Sequence, residues 1–172
     1  GDLSVEIGAD RVAKIVLPDP NWYGSADITF TAADKEYATV STTARFAVKS
    51  VNDAPVLKQI PSQTIEEKNT FETINLVDFV SDVDDATETL KWSVSGGKDL
   101  KVELDKYGSA NIILPNENWS GPAETFTFTV KDSKGGRESS QAAFTVKSIN
   151  NAPEFVESMP DQSIDERQEV KP

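Results

Sequence analysis

The sequence lacks cysteine and histidine, and each absence excludes common kinds of functional site. Without cysteine there are no disulfides and no thiolate metal sites, so stability must come from packing or from bound ions. Without histidine the usual general base is missing, together with the triads built around imidazole and most zinc chemistry. We therefore expect no catalytic residues and no enzymatic activity.

Long apolar runs and a surplus of basic residues are missing as well. No apolar run approaches the roughly 20 residues that span a bilayer, and no signal peptide opens the chain at Gly1. The 172 residues include 29 acidic and 17 basic side chains, for a net charge of −12. This charge repels phosphate backbones and anionic bilayers, so we expect neither nucleic-acid binding nor membrane insertion in this segment. Carboxylate oxygens suit a hard cation such as calcium.

What the sequence does contain is an internal repeat. Three segments recur in the same order at nearly constant offsets of 97, 98 and 99 residues: 17–24 as 114–121, 46–55 as 144–153, and 61–67 as 160–166. A period of about 98 residues suits an immunoglobulin-like sandwich rather than a solenoid unit.

The repeat divides the chain into three parts. Residues 1–53 are predicted to be the second half of a first repeat, residues 54–151 a complete second repeat, and residues 152–172 the start of a third. The chain is thus expected to be a window from a longer array, with a first unit that lacks the opening strands of its own sandwich.

Within the second repeat, period-two alternation of apolar and polar residues predicts strands. The runs 123–131 and 142–146 flank a turn-rich segment at 132–136 and read as a hairpin. Further strands are predicted at 56–60, 71–76, 90–94, 100–104 and 110–114. The total of about seven predicts an all-β, Greek-key sandwich. Its predicted core contains Phe126, Phe128, Val130, Phe144, Val146 and Trp92.

An Asn-Trp-x-Gly motif occurs at residues 21–24 and again at 118–121. A Trp at a fixed repeat position can plug the end of the sandwich while the Gly makes a tight turn. Alternatively, a solvent-facing row of Trp22, Trp119 and Tyr107 would favour sugar binding. Asn118 also begins an N-glycosylation sequon, a pattern of low specificity.

Acidic residues are concentrated where a sandwich would bring loops together. Residues 82–85 follow the second predicted strand, Asp132 lies in the turn of the long hairpin, and Asn52 and Asp53 lie in the linker that enters the repeat. These loops share one end of an immunoglobulin-like sandwich, so their side-chain oxygens are expected to converge between adjacent repeats. The alternative interpretation is an ordinary solvated acidic loop.

The order of these features resembles the cadherin-like tandem repeats of bacterial surface proteins and adhesins. The resemblance lies in an Asp-x-Asp after a strand, an Asp in the long hairpin turn, the Val-Asn-Asp-Ala-Pro-Val junction at 51–56 and the Pro-x-x-Asn-Trp-x-Gly segments. It implies one or two calcium ions at each junction, which would stiffen the array into a rod.

The resemblance also implies which residues would bind calcium. At the first junction they are Asp19, Asn52, Asp53, Asp82, Asp84 and Asp132. At the second they are Glu67, Glu117 and Asn150, with Asn116 and Asn151 beside them. The sequence departs from the cadherin pattern in three ways. The linker is one residue shorter than the cadherin linker. Asn151 stands in the second linker where the first has Asp53, and Pro20 stands in the first repeat where the second has the acidic Glu117. Calcium is therefore expected at the first junction more than at the second.

Together these features predict structural and adhesive spacer repeats of a large extracellular or cell-surface protein. The expected partners are neighbouring repeats of the same chain, with a cell-surface protein or a polysaccharide as an outside ligand. The alternative is an accessory or carbohydrate-binding module of a secreted polysaccharide-active enzyme. The two differ in whether the aromatic side chains are exposed.

Overall fold

A computed structural model describes residues 3–150, 152–153, 156–158, 161, 163 and 165–166. Most of the predicted third repeat therefore lies outside the described residues. In the described part, residues 3–48 form β1 (Ser4–Ile7), β2 (Ala13–Val16), β3 (Gly24–Ala33) and β4 (Thr39–Val48). The strands β1 and β2 pair with each other, and β3 pairs with β4; both of these pairs are antiparallel.

Residues 56–147 form a two-layer sandwich. Its strands are β5 (Val56–Leu57), β6 (Gln63–Glu66), β7 (Ile74–Asn75), β8 (Val80–Ser81), β9 (Lys91–Gly96), β10 (Lys101–Leu104), β11 (Ser109–Ile113), β12 (Gly121–Lys131) and β13 (Arg137–Lys147). Short 3₁₀ turns lie at Leu76–Phe79 and Thr87–Thr89. One sheet has the order β6-β13-β12-β9, a second has β10-β11-β7, and β5 pairs with β8. The predicted all-β sandwich is confirmed.

The core lies between the two larger sheets because alternate residues of each strand point toward the other sheet. Phe126, Phe128 and Phe144 from one sheet pack with Ala110 and Ile112 from the other, and all five are buried. Phe144 makes edge-to-face contacts with Phe126 and with Phe71. Five of the six predicted core residues are at most 2% exposed, whereas Trp92 is only partly buried and contacts two hydrophobic clusters.

The first predicted strand of this sandwich, 56–60, is wrong in extent because the chain changes sheets there. Pairing with β8 ends at Leu57, and pairing with β13 starts at Gln63. Between Leu57 and Gln63 lies Pro61, which has no backbone N–H to donate. Serine side chains here accept the hydrogen bonds that backbone carbonyls would accept in a regular sheet. The Ile60 N–H donates to Ser140 Oγ (3.0 Å), and the Ala143 N–H donates to Ser62 Oγ (2.9 Å). The strands β6 and β8 were not predicted.

The predicted strand at 71–76 is also shorter than expected. Pairing covers only Ile74 and Asn75, and a 3₁₀ turn then begins at Leu76. The Leu76 N–H donates to the Gly108 carbonyl (2.8 Å), which ends the regular ladder with β11.

The hairpins before and after the linker share their registers. Ser4 pairs with Val16 as Lys101 pairs with Ile113, 97 residues later. In the longer hairpins, Ile28 pairs with Ala44 as Phe126 pairs with Ala142, 98 residues later. The change of offset falls at a β-bulge after Gly121, which inserts one residue into β12. The repeat boundaries and the 98-residue period themselves stay predictions.

Candidate functional site

Two loops of the sandwich meet at the end where the linker enters. One connects β8 to β9 and contains the acidic residues 82–85, and the other connects β12 to β13. Asp85 joins them, because its carboxylate accepts hydrogen bonds from the Ser133 backbone N–H (2.9 Å) and from Ser133 Oγ (3.1 Å). The acidic loop and the hairpin turn therefore lie side by side.

The linker binds directly to both loops. Asn52 Nδ2 donates to Asp132 Oδ2 at 2.7 Å, and the Asp53 backbone N–H donates to Asp84 Oδ2 at 2.8 Å. Behind them, the backbone of Gly136 lies so close to Ala54 that an added Cβ would be 3.0 Å from Ala54 Cα. Four of the predicted site residues are thus brought together as two hydrogen-bonded pairs.

Asp132 organises the hairpin turn as well as the linker. Its Oδ1 accepts the backbone N–H groups of Lys134 (2.8 Å), Gly135 (2.5 Å) and Gly136 (2.8 Å), and its side chain is buried. The Asn52 amide, followed by these three N–H groups, stabilises the charged form and lowers the pKa of Asp132 below its ordinary value, although burial acts in the opposite direction. Both carboxylate oxygens already have protein donors.

Asp82 differs from Asp132 because one of its oxygens is unsatisfied. Its Oδ1 accepts the backbone N–H groups of Asp84 (2.8 Å) and Asp85 (2.9 Å). Its Oδ2 is buried and has no hydrogen-bond partner in the described part of the chain. The cavity beside it, of about 240 Å³, is also lined by Asn21 and Asp53. A buried carboxylate oxygen without a donor is costly unless a cation or water neutralises it.

The structure does not gather the predicted ligands around one centre. Among the described residues, no three acidic side chains form a group that could hold a metal ion. Both oxygens of Asp132 and the Oδ2 of Asp84 instead accept N–H groups, whereas Asp82 Oδ2 has no donor among the described residues. The fit to calcium therefore rests on the chemistry of the oxygen donors and on the orphaned Asp82 oxygen, and the metal site stays a prediction.

Asp19 accepts hydrogen bonds within its own turn and none from the linker among the described residues. Its Oδ1 accepts the Asn21 N–H (2.9 Å), and its carbonyl accepts the Trp22 N–H (3.3 Å). Asn21, from this turn, lines two cavities: one is also lined by Asp53 and Asp84, and the other by Asp53 and Asp82. Asn21 and Asp85 are thus site residues that the sequence interpretation missed.

At the predicted second junction, Glu67 is nearly inaccessible at 4% exposure. Its Oε1 accepts the Ile149 backbone N–H at 2.9 Å, so it holds the outgoing linker. The carbonyl of Glu117 accepts the Lys68 N–H (2.7 Å), and Asn116 Oδ1 accepts the Asn118 N–H (3.0 Å). Asn150 is exposed, and Asn151 lies outside the described residues.

The two tryptophans of the Asn-Trp-x-Gly motifs fold onto their own glycines. A Cβ added at Gly24 would lie 3.2 Å from Trp22 Cζ2, and one added at Gly121 would lie 2.7 Å from Trp119 Cζ2. Both indoles are partly buried, and Trp119 packs against the core. Tyr107 is 72% exposed and contacts Lys106 through its ring. This arrangement favours corner packing over a sugar-binding row.

Known structures share the fold. A protocadherin gamma B7 fragment with extracellular cadherin domains 1–4 is 18% identical, with a TM-score of 0.55 over 86% of this chain and 39% of that chain. Domains 1–2 of human mucin-like protocadherin are 17% identical, with a TM-score of 0.50 over 86% of this chain and 85% of that chain. These likenesses show the cadherin-like sandwich and nothing further.

An endo-fucoidan hydrolase from glycoside hydrolase family 107 is 17% identical, with a TM-score of 0.42 over 86% of this chain. At this TM-score the two folds are only loosely alike. This chain spans only 22% of the hydrolase and 39% of the protocadherin gamma B7 fragment.

Sequence comparison adds the family. No curated protein matches the chain. Within the described residues, no helix is long and apolar enough to cross a membrane. The profile for bacterial Ig domains matches residues 52–147. This range contains the whole sandwich, the linker residues that contact it, the acidic loop at 82–85 and the turn between β12 and β13. The chain belongs to the bacterial Ig domain family.

Proposed function

We propose that this chain is a non-catalytic part of an extracellular surface protein, in which tandem sandwich repeats act as spacers and adhesive modules. The observation that carries the proposal is the direct binding of the linker by two loops of the following sandwich, through the Asn52–Asp132 and Asp53–Asp84 hydrogen bonds. A spacer needs a junction that transmits orientation from one repeat to the next. A linker anchored at two points restricts that orientation more than a free tether does.

The proposed units are residues 1–53, 54–151 and 152–172. The shared register of the hairpins before and after the linker supports this division, because residues 97 or 98 apart occupy equivalent pairing positions. Each unit would then contact its neighbours in the same chain. A cell-surface protein or a polysaccharide is the proposed outside ligand.

Calcium is the proposed ion at the first junction. The orphaned Oδ2 of Asp82 supports it, since the same cavity is lined by Asp53 and Asn21, whose side-chain oxygens are hard donors. Asp84 and Asn52 would complete the set from the loop and the linker, with Asp132 holding Asn52 in place. A bound cation would neutralise a carboxylate oxygen that otherwise lacks a donor.

The alternative carbohydrate-binding role would need exposed, coplanar aromatic rings. Trp22 and Trp119 are folded onto Gly24 and Gly121, which argues against their use as a sugar platform.

Calorimetric titration with calcium tests the ion. We expect a dissociation constant of about 10⁻⁴–10⁻³ M, the range of extracellular modules. Asp82→Asn should abolish the heat, because it replaces the unpartnered oxygen by an amide group without charge. Trp22 lines the neighbouring cavity, so its fluorescence gives a second readout.

Asp105→Asn is the matched control. Asp105 is also an acidic turn residue that accepts backbone N–H groups, from Tyr107 and Ser109, but it lies in the β10–β11 turn away from the linker. It should bind calcium as the parent does. Absence of heat at millimolar calcium, or equal heat in Asp82→Asn, would overturn the calcium site.

A further inference from the structure

Three cations lie side by side on the outer face of the four-stranded sheet. Lys131 on β12 is directly opposite Lys91 on β9 and directly opposite Arg137 on β13. Residues that are directly opposite project from the same face of a sheet. All three residues are exposed, and none forms a salt bridge within the described part of the chain. We call Lys91, Lys131 and Arg137 the cationic row.

The cationic row is unfavourable by itself. Like charges directly opposite each other across strands are destabilising, and Lys131 has a cation on each side. The chain has 29 acidic and only 17 basic residues, so basic side chains are scarce, and yet three of them are adjacent here. An anionic ligand on this face would replace the mutual repulsion by attraction.

The fold of the hairpin does not require the cationic row. In the hairpin β3–β4, Ala33 pairs with Thr39, at the positions that lie 98 residues before Lys131 and Arg137. A long hairpin of the same register therefore forms without a cation at either position. The two charges are a property of the second sandwich, which favours a role in binding over a role in folding.

Rows of polar side chains continue the same face next to the cationic row. Thr129 lies directly opposite Ser93 and Ser139, and its Oγ1 is 2.9 Å from Ser139 Oγ. In the row after that, Gln141 Nε2 donates to Thr127 Oγ1 (3.3 Å). Hydroxyl and amide groups both donate and accept hydrogen bonds, so this part of the face suits the hydroxyl groups of a sugar.

We propose that the outer face of β9, β12 and β13 binds a linear polysaccharide that carries carboxylate groups. The inference rests on the proposed adhesive function and names the outside ligand and its site. Adjacent strands lie about 4.8 Å apart, so a polymer that crosses the strands meets a cation on each of the three. The guanidinium of Arg137 can bind a carboxylate through two parallel hydrogen bonds. The neighbouring rows then bind the sugar hydroxyls.

Charge density favours a polysaccharide over a nucleic acid. Duplex DNA carries one negative charge per about 1.7 Å of its axis, which three cations on one face do not neutralise. The net charge of −12 repels so dense a polyanion from the rest of the chain. A polyuronate has one carboxylate per sugar ring, so its charges are farther apart and uncharged hydroxyl groups lie between them.

Biolayer interferometry with immobilised polygalacturonate tests the proposal on the full chain. The parent should bind at low salt, and its binding should weaken as salt is added, because exposed charges are screened. The methyl ester of the same polymer, which has the same backbone without the charges, should bind much less. A chelator is present throughout, so the result is separate from that of the proposed calcium site.

Two substitutions copy the earlier hairpin. Lys131→Ala and Arg137→Thr each introduce the residue found 98 positions earlier, so both variants should fold. Each should weaken binding about two- to fivefold, the effect of one exposed charge pair, and the double variant should weaken it further. Lys101→Ala is the matched control, because it removes the same charge from β10 in the other sheet and should bind as the parent does.

Thermal unfolding gives a readout without an immobilised polymer. Soluble polygalacturonate should raise the Tm of the parent and of Lys101→Ala, since a ligand that binds only the folded chain stabilises it. The Tm of the double variant Lys131→Ala, Arg137→Thr should rise much less. Circular dichroism checks that each variant keeps its strand content.

Three binding results would overturn the proposal. Equal binding of the methyl ester would show that the face does not recognise charge. Binding of duplex DNA as tight as that of polygalacturonate would show a general affinity for polyanions. Unchanged binding of the double variant would place the site elsewhere. Absence of all binding would remove this polysaccharide site and leave the proposed spacer function, which is measured through calcium and scattering, unaffected.

Discussion

At the scale of single residues, two aspartates of the junction have opposite roles. Asp132 is saturated by donors from its own turn and from the linker, so it acts as a fixed anchor. Asp82 keeps one buried oxygen without a protein donor. The difference follows from geometry: the tight turn after Asp132 points three N–H groups at one oxygen, whereas the loop after Asp82 satisfies only Oδ1.

The core residue with the clearest expected effect is Phe128. It is 0% exposed and lies in the cluster between the two sheets. Phe128→Ala should lower the free energy of unfolding of the sandwich by about 3–5 kcal/mol, since it removes buried contacts and leaves a cavity. Urea denaturation followed through the fluorescence of Trp92 and Trp119 measures this loss.

Phe30→Ala is the matched control for Phe128→Ala. Phe30 lies 98 residues earlier on β3 but is partly exposed, so its removal should cost less. A loss below about 1 kcal/mol for Phe128→Ala would place Phe128 outside the packed core.

Single residues also show how far the sequence was informative. The alternation of β12 and β13 identified Phe126, Phe128, Val130, Phe144 and Val146 as core, because a period of two determines the buried face. The part played by Asp85 could not be read in this way. Its partner, Ser133, is 48 residues away, and nothing local in the sequence indicates that contact.

At the scale of elements, the sequence predicted the long hairpin strands of the sandwich, made β5 and β7 too long, and missed β6 and β8. The hairpin β12–β13 has eleven residues in each strand and a strong alternation. The two-residue strands β5, β7 and β8 are too short to show a period. The switch from β5 to β6 depends on Ser140 and Ser62 as substitute hydrogen-bond partners, which only the assembled sheets reveal.

The turn after β12 and the linker should respond together to acid. The pKa of Asp132 is below its ordinary value of 3.8 in the folded chain, chiefly through the Asn52 amide and the turn N–H groups. A lowered pKa means that the contribution of Asp132 to stability is complete above the unfolded value and is lost as the pH falls through the folded one. Protonation should therefore release Asn52 and loosen the turn.

An NMR titration measures this coupling. The Asn52 side-chain amide and the backbone amides of Lys134, Gly135 and Gly136 should shift with one common midpoint below 3.8. In Asp132→Asn that transition should disappear, whereas Asp105→Asn, at the β10–β11 turn, should keep it. Separate midpoints for the linker and the turn would show that Asp132 does not couple them.

At the scale of the whole molecule, two hydrogen bonds join the linker to the sandwich that follows it. The linker meets the second sandwich at Asp84 and Asp132, which come from two different loops. The sequence predicted this convergence from loop order. It could not show that hydrogen bonds to N–H and amide donors would occupy Asp84 and Asp132, since those donors come from the backbone and from the linker itself.

An ion at this junction would act on geometry more than on stability. With a dissociation constant of about 10⁻⁴–10⁻³ M, millimolar calcium adds only on the order of 1 kcal/mol per site. The same energy is sufficient to shift a hinge equilibrium several-fold, because the ion favours the arrangement in which loop and linker oxygens are close.

Small-angle scattering of the full chain tests this effect. With calcium the scattering profile should correspond to a more extended and less variable arrangement, and a chelator should shorten or bend it. Asp84→Ala removes both a proposed ligand and the acceptor of the Asp53 N–H, so it should resemble the chelated parent with or without calcium. Asp105→Asn should respond to calcium as the parent does. Identical profiles of the parent in calcium and in chelator would show that calcium does not restrain this junction.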